Sequence, residues 1–221
     1  DQKGIGLLAW VHQSRLNTPE KRELLKDWAD KGIKGIKTDF FDSEEQTILQ
    51  VYDEITRAAA DAKLIVNYHG ANLPNGERRT WPHILSKESV YGAEQSSTSA
   101  VQDCVLPFTR NAIGPMDFTP LLEPWFSASN YTTAHGAAMS ITVENGIQCL
   151  ADYPDAYLNS PARDYFYKMP SKWDETKCVG AEVREYYAVA RRSGDTWYVG
   201  AVNSTARTDQ QIPMSFLGEG T

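Results

Sequence analysis

The sequence predicts an α/β fold in which parallel strands alternate with helices, followed by a small antiparallel β part. Short apolar runs of strand length alternate with helical apolar stripes over residues 4–69. Towards the C-terminus, two β-rich runs flank the tight turn Ser193-Gly194-Asp195. We therefore predict an α/β domain over residues 1–160 and a β domain over residues 161–221.

Start and stop signals delimit the elements of the first part. Thr18 followed by Pro19 is a helix N-cap with proline at the first helical position, and Gly32 ends that helix. Ser43 and Gln46 have the spacing of a capping box that opens a second helix. The predicted elements are a strand over residues 4–11, a helix over 18–32, a strand over 33–41, a helix from 43 to about 62 and a strand over 63–69. This order predicts right-handed βαβ units.

The later elements carry weaker signals. Residues 70–89 are polar and are predicted to be a long loop, which inside a compact domain is often functional. The remaining predictions are an extended piece over 90–94, a strand over 103–108, a helix over 131–144, a connector over 152–172 and a hairpin formed by 181–190 and 196–202.

Composition excludes several classes of function. The chain has 22 Lys and Arg against 29 Asp and Glu, a net charge of −7, and no basic cluster, which argues against a nucleic-acid partner. Its apolar runs are too short to span a membrane. The three cysteines and four histidines lack metal-site spacing, and the sequence contains neither a Gly-x-Ser-x-Gly elbow nor a phosphate-binding glycine loop.

Polar residues gather where the predicted strands end, which is where parallel α/β folds place their reacting groups. Lys37 and Asp39 share one face of the second strand, and a nearby lysine would keep the aspartate ionised as a nucleophile. An aspartate that only caps a turn is the alternative. Asn67 and His69 end the third strand, where they could hydrogen-bond sugar hydroxyls, or His69 could be a base or a metal ligand. A lone histidine at a strand end is more often a structural residue.

A second acidic position follows in the segment 88–95. With residues 90–94 extended, Glu94 would point into the mouth at the strand ends while Glu88 lies in the loop leading to it; both could equally be solvated loop acids. A carboxylate pair such as Asp39 and Glu94 is the minimum equipment for cleaving a glycosidic bond. Four aromatic residues could stack on sugar rings or belong to the core: Trp10, Tyr68, Trp81 and Trp125.

Several motifs together resemble glycoside hydrolase family 97. They are Gly35-Ile-Lys-Thr-Asp-Phe-Phe-Asp42, Asn67-Tyr-His-Gly-Ala-Asn-Leu-Pro-Asn-Gly76, Arg79-Thr-Trp-Pro82, Gly92-Ala-Glu94, Leu106-Pro-Phe-Thr-Arg-Asn111 and Gly114-Pro-Met-Asp-Phe-Thr-Pro120. They occur in the order of the family and cover nearly the whole chain.

The resemblance implies a calcium-dependent α-glycosidase on a (β/α)8 barrel, here from about the third strand onward. It implies that Asp39 is the nucleophile of a retaining enzyme, because inverting members carry a glutamate base where this sequence has Gly70. It further implies that Glu94 is the acid/base and that Glu88 and Glu94 are Ca²⁺ ligands. Lys37, Asn67 and His69 would contact the sugar.

We therefore expect a retaining α-galactosidase-like enzyme, periplasmic or secreted, whose substrate is an oligosaccharide or other α-galactoside. Two alternatives stay open: an α-glucosidase of the same family, and a truncated, non-catalytic carbohydrate-binding module. A sheet that begins at residues 4–11 would have an open edge, so we expect preceding strands or a second copy of the chain to cover it.

Overall fold

The computed structural model describes residues 3–95, 98–122, 132–204, 209 and 211–218. The chain divides into two compact units, each described by itself below. The first unit comprises Asp1–Val90 with Gly114–Asp117, and the second comprises Tyr91–Ile113 with Phe118–Thr221. This division follows packing, and the domains predicted at 1–160 and 161–221 stay a prediction.

The first unit contains a parallel four-stranded sheet in the order β1-β2-β3-β4. The parallel βαβ order predicted from the sequence is confirmed. The elements are β1 (Leu8–His12), α1 (Pro19–Asp30), β2 (Gly35–Asp39), α2 (Gln46–Asp61), β3 (Ile65–Tyr68) and β4 (Ile84–Lys87). β4 lies inside the segment 70–89 that was predicted to be loop, because its four residues are too short a run to give a periodic signal.

The two helices begin in different ways. Thr18 caps α1 as predicted, and its side-chain oxygen accepts a hydrogen bond from the Lys21 backbone N–H. The capping box predicted at Ser43 is wrong, because the N-cap of α2 is Glu45, which makes no side-chain cap. The Ser43 hydroxyl instead accepts a hydrogen bond from the Glu45 N–H, two residues ahead.

The two faces of the sheet differ in chemistry. One face packs on the helices through buried side chains such as Ile36 and Val66, and they belong to one cluster with Leu25 and Ile55. The opposite face is polar. Strand register places four of its residues side by side in one row across the sheet: Trp10, Lys37, Asn67 and Ser86. A row that includes a lysine, an asparagine and a serine is unusual for a hydrophobic core, so this face is a candidate for a functional site.

Two predicted extended segments are wrong. Residues 90–94 form no strand, and Ala93–Glu94 lie in a turn. The predicted strand over 103–108 is instead the end of α3 (Ala100–Asp103) followed by a 3₁₀ turn at Leu106–Phe108. Ser99 caps α3 by accepting from the Gln102 N–H, and Pro107 suits the first turn of the 3₁₀ segment.

The second unit contains an antiparallel sheet in the order β5-β6-β7, where β5 is Glu175–Glu182, β6 is Tyr186–Ser193 and β7 is Thr196–Asn203. The hairpin predicted around Gly194 is confirmed, and Gly194 has the left-handed φ of +56° that the turn requires. The predicted strand 181–190 is wrong in its bounds, since the turn between β5 and β6 interrupts it.

Helices accompany this second sheet. The helix predicted at 131–144 is confirmed over α4 (Thr133–Thr142), while Tyr131 lies outside the described residues. The predicted connector holds two short helices, α5 (Pro154–Leu158) and α6 (Arg163–Lys168). Arg191 of β6 is buried and pairs with Glu144 at 2.5 Å. Among the described helices, none has the length and apolar character needed to cross a membrane.

Candidate active site

Three of the predicted site residues meet at the carboxyl ends of neighbouring strands of the first unit. Asp39 is the last residue of β2, His69 follows β3 directly, and Glu88 follows β4 directly. The sheet continues through them, because the His69 N–H donates to the Thr38 carbonyl at 2.9 Å and the Glu88 N–H donates to the Tyr68 carbonyl at 2.8 Å. The expectation that Glu88 lies in an approach loop is therefore wrong.

The residue after each of these three has a left-handed backbone. Its φ is +66° at Phe40, +49° at Gly70 and +45° at Ser89. Phe40 and Ser89 carry side chains, so each conformation costs energy, and such strain is concentrated at functional sites. The backbone thus turns sharply after each strand and leaves the preceding side chain at the sheet edge.

The carboxylate of Asp39 is held by two N–H donors. Trp10 Nε1 donates to Oδ2 at 2.9 Å, and the Phe40 backbone N–H donates to Oδ1 at 2.7 Å. The Phe40 ring stacks on His12 with a centroid separation of 5.1 Å. Asp39 is 8% exposed. A carboxylate with one donor on each oxygen has a defined orientation, which a nucleophile requires.

Gly70 packs directly against this carboxylate. A Cβ atom at position 70 would lie 2.7 Å from Asp39 Oδ1 and 2.8 Å from the Phe40 nitrogen, both far inside van der Waals contact. Together with the positive φ, this spacing admits only glycine at position 70 while Asp39 keeps its present orientation.

Glu88 is buried beside His69. The Gly70 N–H donates to Glu88 Oε2 at 2.5 Å, and Oε1 lies 3.4 Å from His69 Nε2. On the other side of the imidazole, Nδ1 lies 2.9 Å from Asp117 Oδ2. An ionised Asp117 can only accept, so Nδ1 carries a hydrogen, while Nε2 faces the Glu88 carboxylate.

Asp117 is a site residue to which the sequence assigned no role. It is fully buried, and Oδ2 accepts hydrogen bonds from Asn67 Nδ2, His69 Nδ1 and Lys37 Nζ at 2.8, 2.9 and 2.9 Å. Burial by itself would raise the pKa of Asp117, but the hydrogen bond from His69 and the charge of Lys37 outweigh it and hold the pKa below its ordinary value.

The remaining predicted residues lie as follows. Glu94 belongs to the second unit, is partly buried in the turn, and is preceded by Ala93, whose N–H donates to the Phe118 carbonyl at 2.9 Å. Of the aromatic residues, Trp10 contacts Asp39 and is 56% exposed, whereas Tyr68 is a core residue. Trp81 packs under the Arg57 guanidinium, and Trp125 lies outside the described residues.

Comparison with known proteins assigns the chain to a family. A family model described as glycoside hydrolase 97 matches residues 1–90, and one described as glycosyl-hydrolase 97 C-terminal, oligomerisation, matches residues 172–221. The chain belongs to glycoside hydrolase family 97. The resemblance inferred from the motifs is thereby confirmed.

Curated relatives in the family are longer than this chain. It is 39% identical over 226 residues to a probable retaining alpha-galactosidase of Streptomyces bingchenggensis, and 32% identical over 235 residues to a retaining alpha-galactosidase of Bacteroides thetaiotaomicron. These alignments cover 100% and 98% of this chain, and the chain spans 35% of each relative.

Solved structures of the family have the same fold. A beta-arabinopyranosidase crystal structure is 28% identical with a TM-score of 0.78, covering 91% of this chain and 37% of its own. A family 97 enzyme from Pseudoalteromonas sp. strain K8, solved with acarbose, is 24% identical with a TM-score of 0.85, covering 99% of this chain and 39% of its own. The parallel α/β sheet and the separate antiparallel sheet are therefore those of a family 97 protein.

Proposed function

We propose that this chain is part of a retaining α-glycosidase that hydrolyses terminal α-galactosides by double displacement. The observation that carries the proposal is the Asp39 carboxylate, fixed at the end of β2 by the Trp10 and Phe40 N–H groups. The two curated relatives, both named as retaining alpha-galactosidases, support the galactoside as substrate. An α-glucosidase of the same family is the alternative.

Asp39 is the nucleophile of this reaction. One carboxylate oxygen attacks the anomeric carbon from the β face while Glu94 donates its proton to the glycosidic oxygen, and the aglycone leaves as an alcohol. The product is a β-galactosyl ester of Asp39. Glu94 then removes a proton from water, the water attacks the anomeric carbon, and the ester bond breaks to release α-galactose. Two inversions give net retention.

Gly70 supports retention rather than inversion. An inverting mechanism needs a base that activates water, and the resemblance locates that base at position 70. Here the Asp39 carboxylate itself occupies the space that any side chain at position 70 would need. The Asp39 carboxylate in its present position and a water-activating glutamate at position 70 therefore exclude each other.

Lys37 and His69 are proposed to contact the sugar through hydrogen bonds to its hydroxyl groups. Both are hydrogen-bonded to Asp117, so the Lys37 ammonium and the His69 ring have fixed positions before a substrate arrives. Asn67 is fully buried and donates to the same carboxylate, which favours a supporting role for it over direct sugar contact. The sugar contact of Asn67 stays a prediction.

We propose a Ca²⁺ ion with Glu88 and Glu94 as carboxylate ligands. Glu88 fits a hard cation, because it places carboxylate oxygens, the ligands that Ca²⁺ prefers, at the carboxyl end of β4. A bound calcium ion would supply positive charge near the sugar and orient it. Chelation is expected to lower activity, and Ca²⁺ should restore it. Glu88→Gln should raise the Ca²⁺ concentration needed for half-maximal activity, and an enzyme indifferent to chelation would contradict this assignment.

Three further expectations follow from family membership. β1–β4 are proposed to be consecutive strands of a (β/α)8 barrel, and the protein is proposed to be periplasmic or secreted. The family model over residues 172–221 is described as an oligomerisation domain, which supports a homo-oligomer. A non-catalytic carbohydrate-binding module remains the alternative from another class. It would bind sugars with full affinity when Asp39 is replaced and would cleave none.

Replacement of Asp39 in the full-length protein tests the function. Asp39→Asn should abolish turnover of an aryl α-galactoside, since removal of a glycosidase nucleophile leaves no route to the ester. Asp39→Gly with azide should release β-galactosyl azide, because azide attacks from the face that Asp39 vacates. Wild-type rates in the first variant, or only the α-azide from the second, would overturn the assignment. Aryl α-glucoside and β-arabinopyranoside substrates complete the panel.

A further inference from the structure

All three residues predicted to bind sugar converge on one oxygen atom. Asp117 Oδ2 accepts from Lys37 Nζ, Asn67 Nδ2 and His69 Nδ1, each at 2.8 to 2.9 Å. These donors come from β2, from β3 and from the residue after β3, so a single carboxylate joins two strands. Asp117 itself is 0% exposed.

The backbone carries Asp117 to this place as a continuation of the sheet. Met116 forms a parallel bridge with Lys87 of β4, and the Asp117 N–H donates to the Lys87 carbonyl at 3.3 Å. The Asp117 N–H therefore donates to the last residue of β4 in the same way that the Glu88 N–H donates to the last residue of β3. Its side chain then reaches back over the polar face of the sheet to Lys37 on β2.

Charge balance explains why a carboxylate is stable there. A buried carboxylate is costly unless it is paired and hydrogen-bonded, and the Lys37 ammonium supplies the opposite charge at 2.9 Å. Asn67 contributes a neutral donor that fixes the carboxylate plane without adding charge. The Lys37 side chain is 20% exposed, so the fully buried Asp117 carboxylate orients an ammonium that solvent can still reach.

We propose that Asp117 is a positioning residue that sets the Lys37 ammonium and the His69 ring for substrate, with Asn67 holding Asp117 in turn. This role rests on the proposed glycosidase function. Asp117 touches no reacting atom in the proposed mechanism, and it acts by fixing the positions of the Lys37 ammonium and the His69 ring. Loss of such a supporting group lowers activity through its partners rather than through the fold.

Double-mutant cycles test this route. Asp117→Asn, which keeps the shape and removes the charge, should lower kcat/KM for the aryl α-galactoside by roughly 10- to 100-fold. The same change should cost several-fold less in a Lys37→Met background, and likewise in a His69→Gln background, because one of its two routes is already absent. Equal losses in all three backgrounds would overturn the proposal.

Asp103→Asn is the matched control. Asp103 is an equally buried carboxylate that accepts from His135 Nε2 at 2.9 Å, and it belongs to the second unit. Its replacement should lower the melting temperature while kcat/KM of the folded fraction stays within about 2-fold of wild type. A loss of activity as large as that of Asp117→Asn would mark both effects as general consequences of removing a buried acid, and would overturn the positioning role.

Thermal unfolding separates this inference from the proposed function. Asp117→Asn removes the negative charge that Lys37 faces, and Lys37→Met removes the positive charge that Asp117 faces, so each should lower the melting temperature by several degrees. The double variant should recover part of the loss. If the wild-type protein cleaves none of the substrates, the glycosidase proposal fails. The unfolding cycle still tests whether Asp117 acts through Lys37. Additive losses in melting temperature would show that Asp117 does not act through Lys37.

Discussion

Gly70→Ala is predicted to disturb the proposed nucleophile Asp39 although Asp39 itself is not mutated. The added methyl group would lie 2.7 Å from Asp39 Oδ1, 2.8 Å from the Phe40 nitrogen and 3.1 Å from the Phe40 Cα. These are atoms of the carboxylate and of the backbone that holds it, so no flexible side chain can move aside. The carboxylate or the segment around Phe40 must shift.

The size of the shift follows from these distances. Ordinary van der Waals contact begins at 3.4 Å, so relief of the 2.7 Å contact requires a displacement of about 0.7 Å. A movement of that size away from Phe40 lengthens the 2.7 Å hydrogen bond from the Phe40 N–H to about 3.4 Å and weakens it. A misplacement near 1 Å at a reacting group costs roughly 100-fold, and we expect a loss of about 10- to 100-fold in kcat/KM. The left-handed φ adds about 1 to 2 kcal/mol of instability.

Steady-state kinetics on the full-length protein measures the loss, with Gly194→Ala as the matched control. Gly194 has a similar φ of +56° but open space where its Cβ would lie, so alanine there carries the backbone strain without the collision. Gly194→Ala should be slightly less stable and fully active. If Gly70→Ala retains more than about half of the wild-type kcat/KM, Asp39 does not need this orientation and the reasoning fails.

Three further predictions concern neighbouring groups. Trp10→Phe removes the indole donor to Asp39 Oδ2 and should lower kcat/KM by about 3- to 10-fold. The loss is smaller than for a buried donor, because Trp10 is exposed and water can replace its N–H. An unchanged kcat/KM would show that Trp10 does not contribute to the site. Tyr68→Phe deprives the Thr56 hydroxyl and the Tyr52 carbonyl of their buried partner and should cost about 1 to 3 kcal/mol in denaturant unfolding, and a neutral result would show that water reaches them. Burial raises the pKa of the Cys104 thiol to about 11, so the thiol stays protonated at neutral pH. A thiol reagent should therefore label the exposed Cys178 first and Cys104 only on unfolding. Early modification of Cys104 would contradict its burial.

The sequence could predict the elements that are long or sharply delimited. α1 and α2 have clear apolar stripes, and the β6–β7 hairpin has a glycine turn, so all three are confirmed. β4 was not predicted, because its four residues show no period of their own and depend on pairing with β3. The segment at 103–108 is apolar enough for a strand, but local capping by Ser99 selects a helical turn before it.

The motifs predicted a site at the strand ends, and the structure brings four of its predicted residues, Lys37, Asp39, His69 and Glu88, into one unit. The motifs gave no role to Asp117, although that residue lies inside one of them. The reason is physical. A nucleophile is suggested by its own chemistry, whereas a supporting acid is defined by its three partners, and these are separated from it by 48 to 80 residues in the chain.

The same reasoning explains why Gly70 carries information that its own chemistry does not. Phe40 and Ser89, which occupy the equivalent positions after β2 and β4, adopt left-handed backbone although they carry side chains. Backbone strain is therefore tolerated at two of these three strand ends. Position 70 differs because the Asp39 carboxylate fills the space beside it. Restoring a side chain at 70 should therefore be tolerated better once Asp39 is shortened. Gly70→Ala should cost less stability in an Asp39→Gly background than in the wild type, because the contact with Asp39 Oδ1 is gone while that with the Phe40 nitrogen at 2.8 Å remains. Equal costs in the two backgrounds would show that Phe40, not the carboxylate, excludes the side chain.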